Sequence, residues 1–303
     1  MKRTTIILTG MFFASAGVLT AAAQDATAPP PPPKVIQIIR EDLKLGKSGQ
    51  AHDRSAANFV SISSRAKQQG HFIALDSMSG KARSLYITAY PSFEAWENDN
   101  KLIDKNPGLA AELDRALVTE GEFAEAVNSE VFTYNEDWSY HPNSDITHMR
   151  YVDISIFHIR AGHHKEFNDC VKMVKEANEK AGSAGHWAAY EIAYGGEGNT
   201  VIALSDRKSM SEIDKDVAEG KKFAEAIGGE EGMQKLDEVC GQGSESSRSE
   251  LFAVNPRQSY VPDTFVKADP DFWKPKSKAS EAASAKPAAP KPTPAAAAKP
   301  GGN

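Results

Sequence analysis

Histidine is the residue of this 303-residue chain with the widest chemical reach, since an imidazole moves protons near neutral pH or ligates a metal, and the chain has eight. Two of them, His71 and His186, occupy the same place in two near-copies of one phrase, "GHFIALD" from Gly70 and "GHWAAYE" from Gly185. At a strand period of two, His186 shares a face with Ala188, Tyr190, Ile192 and Tyr194, while Trp187, Ala189, Glu191 and Ala193 take the other. If the His face lines a pocket, that pocket holds a pair of histidines beside Tyr190 and Tyr194; if not, Trp187, Phe72, Asp76 and Glu191 look inward. Both arrangements stay open, as does a structural role in which each histidine bonds a neighbouring carbonyl at the start of its strand. Arg40, Asp42 and His158 interrupt apolar runs, at a sheet edge or in a pocket.

The other histidines offer less. His163 and His164 are adjacent at a predicted helix start, so they point about 100° apart and do not readily share a metal. His52, His141 and His148 have no patterned partner. The sequence contains no Gly-rich phosphate loop, no G-x-S-x-G elbow and no H-E-x-x-H pair. The candidate ligand-binding residues are therefore His71, His186, Tyr190, Tyr194, His158 and Trp187. No catalytic residue, cofactor or metal site is assigned.

The elements that must position these residues also come in pairs. "SEVFTYNEDWSYHP" from Ser129 matches "SELFAVNPRQSYVP" from Ser249 at seven of fourteen positions, and the opening phrases lie 115 residues apart against 120 for this pair. Matches at near-constant spacing read as a tandem duplication. "VIQIIREDLKL" and "YVDISIFHIR" are short and β-branched, as strands are, and each runs into a glycine, Gly46 or Gly162. A helix follows: Phe167, Cys170, Val171, Val174, Ala177 and Ala181 form one apolar stripe, which Ala56, Phe59, Ile62 and Ala66 match in the first copy. Two strands then flank "SGKA" or "GGEG" as a hairpin. Helical stretches are predicted over 92–104 and 107–127, then 208–219 and 221–239, before a closing strand in each copy. The order is βαββαβ. Trp138 and Tyr140, in the connection between copies, are expected to pack on a rim, since Tyr260 repeats Tyr140.

A βαββαβ unit with glycine ending its first strand and "G-H-aromatic" leading into its second resembles the dimeric α+β-barrel superfamily, which includes NIPSNAP-like, antibiotic-monooxygenase-like and haem-binding relatives. The resemblance spans residues 34–262. It implies an α+β fold of two tandem ferredoxin-like units, 34–142 and 143–262, whose antiparallel sheets pack as an intrachain pseudo-dimeric barrel, with the chain a monomer. A bare sheet face must be buried, and the second copy supplies the cover. For function it implies a binding or accessory module for a small apolar or planar ligand, a cofactor-free monooxygenase-like enzyme, or a haem-binding protein with an axial histidine.

Composition bounds the rest. "MKR", an apolar stretch and "AAAQ" read as a signal peptide over 1–23, so the protein is expected to be exported, to a periplasm or beyond. No other stretch is apolar enough to span a membrane. Acids outnumber bases 41 to 35, which argues against nucleic acid as a partner. Residues 24–33 form a Pro-rich linker, and 263–303, ending in Ala, Pro and Lys, are expected to be a disordered tail. The two cysteines, Cys170 and Cys240, fall on helices covering one sheet face, within reach of a disulfide that export permits or as two buried thiols.

Overall fold

A computed structural model describes residues 29–274. The expected signal peptide, the start of the linker and the tail beyond 274 lie outside these residues. The chain runs β1 (Val35–Leu43), α1 (Gln50–Ala66), β2 (Phe72–Ser77), β3 (Arg83–Tyr90), α2 (Phe93–Asp104), α3 (Pro107–Glu120) and β4 (Ala124–Tyr140). A 3-10 turn at Ile146–His148 leads to β5 (Tyr151–Ile159), α4 (His164–Ala181), β6 (Trp187–Tyr194), β7 (Thr200–Arg207), α5 (Ser211–Ile227), α6 (Gly229–Gly243) and β8 (Ser244–Val254). Two short helices close the described chain, α7 (Asp263–Ala268) and α8 (Pro270–Trp273).

The fold is mixed α+β, and its eight strands form one closed antiparallel barrel in the order β1-β3-β2-β8-β5-β7-β6-β4. In each half the first strand sits centrally, β1 between β3 and β4, β5 between β7 and β8. The halves join at two seams. β2 meets β8 through Leu75 opposite Val254 and Ser77 opposite Phe252; β6 meets β4 along Tyr190 opposite Tyr134 and Ala189 opposite Asn135.

Strand alternation sorts the side chains. Ile36 and Ile38 of β1 turn inward to meet Leu85, Phe132, Ile154 and Ile202 in the barrel core, while Val35 and Glu41 face the helices. Outside, Phe167 of α4 packs with Ile159, Val201 and Trp138, and Ile62 of α1 meets Leu109 and Ala116 of α3. These layers fix the end of each strand, where the chemically active residues sit.

Three expectations need correction. The helix predicted over 107–127 ends at Glu120, because from Ala124 the backbone pairs with β1 instead, Leu43 opposite Ala124. The break predicted near residue 220 falls at Gly228 and Gly229, whose φ angles of +111° and +69° suit glycine, while Gly220 stays helical inside α5. Residues 263–274, assigned to a disordered tail, fold onto one end of the barrel. Phe265, Val266, Phe272 and Trp273 supply enough apolar surface for that. Trp273 is buried and its Nε1–H donates to the Thr147 carbonyl at 2.7 Å; Arg150 lies 3.8 Å from the Phe272 ring centre and pairs with Asp269.

Cys170 of α4 and Cys240 of α6 are joined as a disulfide, their Cα atoms 4.9 Å apart, closing a loop of 70 residues. A loop of that length removes about 4 kcal/mol of chain entropy from the unfolded state. Replacing both cysteines by serine should lower the unfolding free energy in urea by a few kcal/mol. An unchanged midpoint would show that the bond restrains nothing that unfolding releases.

Candidate functional site

Along the inward face of the barrel, chemistry changes from one end to the other. At the end where β1 finishes, charged side chains converge inside the wall: Arg40 lies 3.7 Å from Glu130 and 3.5 Å from Glu250, and Arg83 contacts Asp42 at 3.1 Å and Glu250 at 2.9 Å. These residues are mostly buried, so the pairs gain from a reduced dielectric and close that end. A space of about 170 Å³ remains there, between Arg40, Glu130, His158, Thr200 and Arg248.

The middle of the barrel is solid, filled by Phe132, Phe252, Leu85 and Ile202. Beyond them, towards the starts of β2 and β6, a cavity of about 590 Å³ opens. Its wall is almost wholly apolar: Ile36, Leu75, Ile87, Met149, Val152 and Leu204 are representative. Pro30 to Pro33 and Phe265 border it, so both ends of the described chain lie against its mouth. A volume of this size is in the range of small-molecule sites, which combine apolar walls with a few placed polar groups.

His71, His186 and Tyr190 all line this cavity. The His face therefore looks inward. The reason is the helix layer: Trp187, one residue on, is held outside by Tyr140, 4.9 Å between ring centres, and by its Nε1–H donating to the Trp138 carbonyl at 2.7 Å. Of the other candidates, Tyr194 lies beyond the cavity, 65% exposed and edge-on to Phe93. His158 belongs to the charged end, its Nδ1 3.1 Å from the Thr200 hydroxyl. The six candidates thus divide: three meet at the cavity, and Trp187, Tyr194 and His158 do not.

The two cavity histidines differ in their partners. His186 Nε2 lies 3.1 Å from Asp206 Oδ1, and the Ser144 hydroxyl donates to the same carboxylate. The hydrogen bond to Asp206 raises the His186 pKa against the opposing effect of burial. Burial alone would raise the Asp206 carboxyl, but the bonds from His186 and Ser144 outweigh it and hold the carboxyl below its ordinary value. His71 instead stacks on Tyr260, ring centres 4.7 Å apart. Burial raises the pKa of Tyr190, which is 2% exposed and edge-on to Tyr134 at 5.6 Å.

Asp206 was not among the candidates, although hairpin pairing around "GGEG" points to it. With Ala188 opposite Leu204, the register carried back two residues sets Asp206 against His186. In the first hairpin, Phe72 opposite Thr88 sets Ala89 against His71, so the first half lacks the carboxylate. A carboxylate therefore pairs with a cavity histidine in the second half only.

No protein-family model and no curated protein sequence matches the chain. The fold is similar to that of a protein from Fusobacterium nucleatum provisionally assigned as a monooxygenase, with a TM-score of 0.50 and 11% identity over 74% of this chain and 93% of that one. An anthrone oxidase-like protein aligns equally well, TM-score 0.50 and 11% identity over 73% and 91%. A haem-binding protein from Thermus thermophilus aligns more loosely, TM-score 0.43 and 13% identity over 79% and 97%. At such identities the likeness is one of fold: the first two neighbours are dimeric α+β barrels.

The His186–Asp206 pair makes stability depend on pH in a defined window. A raised His186 pKa gives stabilisation that is complete below the unfolded value near 6.5 and lost as pH rises through the folded value. A lowered Asp206 pKa gives stabilisation present above 3.8 and lost as pH falls through the folded value. Asp206→Asn should therefore destabilise most between about pH 4 and 6.5, by about 1–3 kcal/mol, and less at pH 9. Denaturant melts of both proteins across that range check it; a pH-independent difference would deny the pair its charge.

Proposed function

We propose that the chain is an exported protein that binds a small, apolar or planar ligand inside its barrel, with His186, held by Asp206, as the polar anchor at the cavity mouth. The observation that carries this reading is the cavity itself: about 590 Å³ of apolar space ending at one hydrogen-bonded histidine–carboxylate pair. Water in such a space gains few hydrogen bonds, so an apolar occupant displaces it favourably. Export is supported by the amino-terminal pattern and by the use of both cysteines in one disulfide, a bond at home in oxidising compartments. The two halves, 34–142 and 143–262, are proposed to be copies of one ferredoxin-like ancestor that now serve as each other's partner in a monomer. Repeated phrases, repeated element order and a bulge at the same place in β1 and β5 support that origin.

A second reading, cofactor-free oxygenation of an aromatic substrate, is favoured by the fold shared with the Fusobacterium and anthrone oxidase-like proteins and by an apolar pocket with a mostly buried carboxylate, Asp206, at its wall. Haem fits this cavity less well. The Nε2 atom of His186 is engaged by Asp206, and the ring of His71 is covered on one face by Tyr260.

Titration with the apolar fluorophore N-phenyl-1-naphthylamine tests the binding reading. The protein should bind it with micromolar affinity, and Ala188→Phe, which fills part of the cavity, should weaken binding at least tenfold while leaving the circular dichroism unchanged. His186→Ala should weaken it more than His71→Ala. Equal binding by Ala188→Phe and the unaltered protein would place the probe elsewhere and end the proposal. Oxygen uptake with phenolic substrates, abolished in Asp206→Asn, would shift the assignment to the enzyme; a Soret band on adding haem would shift it to haem binding.

A further inference from the structure

A second buried polar group lies apart from the cavity, between the outward face of the first half's sheet and its helices. Glu41 comes from β1, His52 from the first turn of α1, and Glu120 is the last residue of α3. Their side chains are 8%, 2% and 4% exposed. His52 Nε2 lies 2.9 Å from Glu120 Oε1 and 3.8 Å from Glu41 Oε2, and the three ligating atoms all lie within 4.8 Å of one another. They form ion-pair contacts, yet Glu41 Oε2, His52 Nε2 and both carboxylate oxygens of Glu120 have no partner in hydrogen-bond geometry among the described residues. The Phe123 ring stands edge-on to His52 at 5.8 Å.

Such an arrangement is costly as it stands. Two carboxylates face one imidazole, so even a protonated His52 leaves one negative charge in excess in a desolvated place. Lys44 does not offset it directly, since its ammonium donates to the carbonyls of Gly121 and Glu122. Nor does the fold need polar groups here. The same bulge follows Asp42 in β1 and His158 in β5, so Phe157 holds the position equivalent to Glu41. There the space is apolar: Phe157 packs against Phe167 of α4 at 5.9 Å, and α4 is tied to α6 by the disulfide.

We propose that Glu41, His52 and Glu120 bind one divalent transition-metal ion of the zinc class. One imidazole nitrogen and two carboxylate oxygens are ligands zinc accepts, and two carboxylates balance its charge. Bonds of about 2.0–2.2 Å in a tetrahedral site place ligand atoms about 3.3–3.6 Å apart, so the 2.9 Å contact between His52 and Glu120 opens slightly and separations of up to 4.8 Å close by about an ångström. The open carboxylate lone pairs become metal bonds, and a fourth position is left for water. Bound there, the ion ties β1, α1 and α3 together and does for the first half's helices what the Cys170–Cys240 bond does for the second.

Calorimetric titration of chelator-stripped, full-length protein with zinc chloride tests the site. One equivalent should bind at micromolar concentration or below and raise the thermal midpoint, while Glu120→Gln and Glu41→Gln, close in shape to the native residues, should each weaken binding at least tenfold. Failure of the unaltered protein to take up zinc overturns the proposal. So does uptake that both variants retain, which would assign the ion to another group, such as the half-buried His163. Because Glu120→Gln could disturb α3, Co²⁺ loading of the unaltered protein gives an independent measure: paramagnetic broadening of amides should centre on His52 and Glu120, and broadening centred elsewhere overturns the site.

Discussion

The structure depends on the hydrogen-bonding capacity of strand edges. A four-stranded sheet with helices on one side leaves two rows of unpaired N–H and C=O groups and one bare apolar face, and both expose the chain to association. Here the two edges of each half are joined to those of the other. β2 pairs with β8 from Leu75 opposite Val254 to Ser77 opposite Phe252, Phe72 and Tyr260 exchange backbone bonds beyond the end of β8, and β4 and β6 pair along six positions despite two irregularities. Closure leaves a barrel with no free edge among its strands.

Closure also decides where chemistry can occur. Eight strands enclose an interior that side chains nearly fill. In the centre, large residues do fill it: Phe132 and Phe252 are 1% and 0% exposed. At one end, ion pairs among Arg40, Arg83, Glu130 and Glu250 take up the space. At the other, smaller residues such as Ala89 and Ala188 line the wall, and the space stays open. The connecting segment, Pro30 to Pro33 and Phe265 then border the opening, with Ser144 bonded to Asp206. A local departure from tight packing on an otherwise over-determined scaffold is where a ligand finds room.

Much of this was legible from residue order, because it rests on period and repetition. β-Branched content identified β1 and β5, glycines marked their ends, and two copies of "GH-aromatic" placed His71 and His186 at matching strand starts. What alternation does not give is the sign of a face. His186 and Trp187 lie on opposite sides of one strand, and which side is inside follows only from the packing of Trp187 on Tyr140 and Trp138. Asp206 was readable in principle from hairpin register. The Glu41, His52 and Glu120 group was not: three elements bring it together, and no local spacing links a strand, a helix start and the end of a third element. Residues 263–274 were mistaken for part of the tail because composition averaged over the whole terminus hid four large apolar side chains near its start.

The central claim is that one chain closes its own barrel, and amide hydrogen exchange of β2 and β6 tests it most directly. These strands form the seams, so their backbone protection depends on the other half of the chain being in place. Exchange in residues 72–77 and 187–194 should be slow, comparable to that of the central strands β1 and β5, and the same at nanomolar and at high micromolar protein. Fast exchange confined to β2 and β6, or protection that grows with concentration, would mean that the seams are open or are made by a second molecule, and would contradict the account.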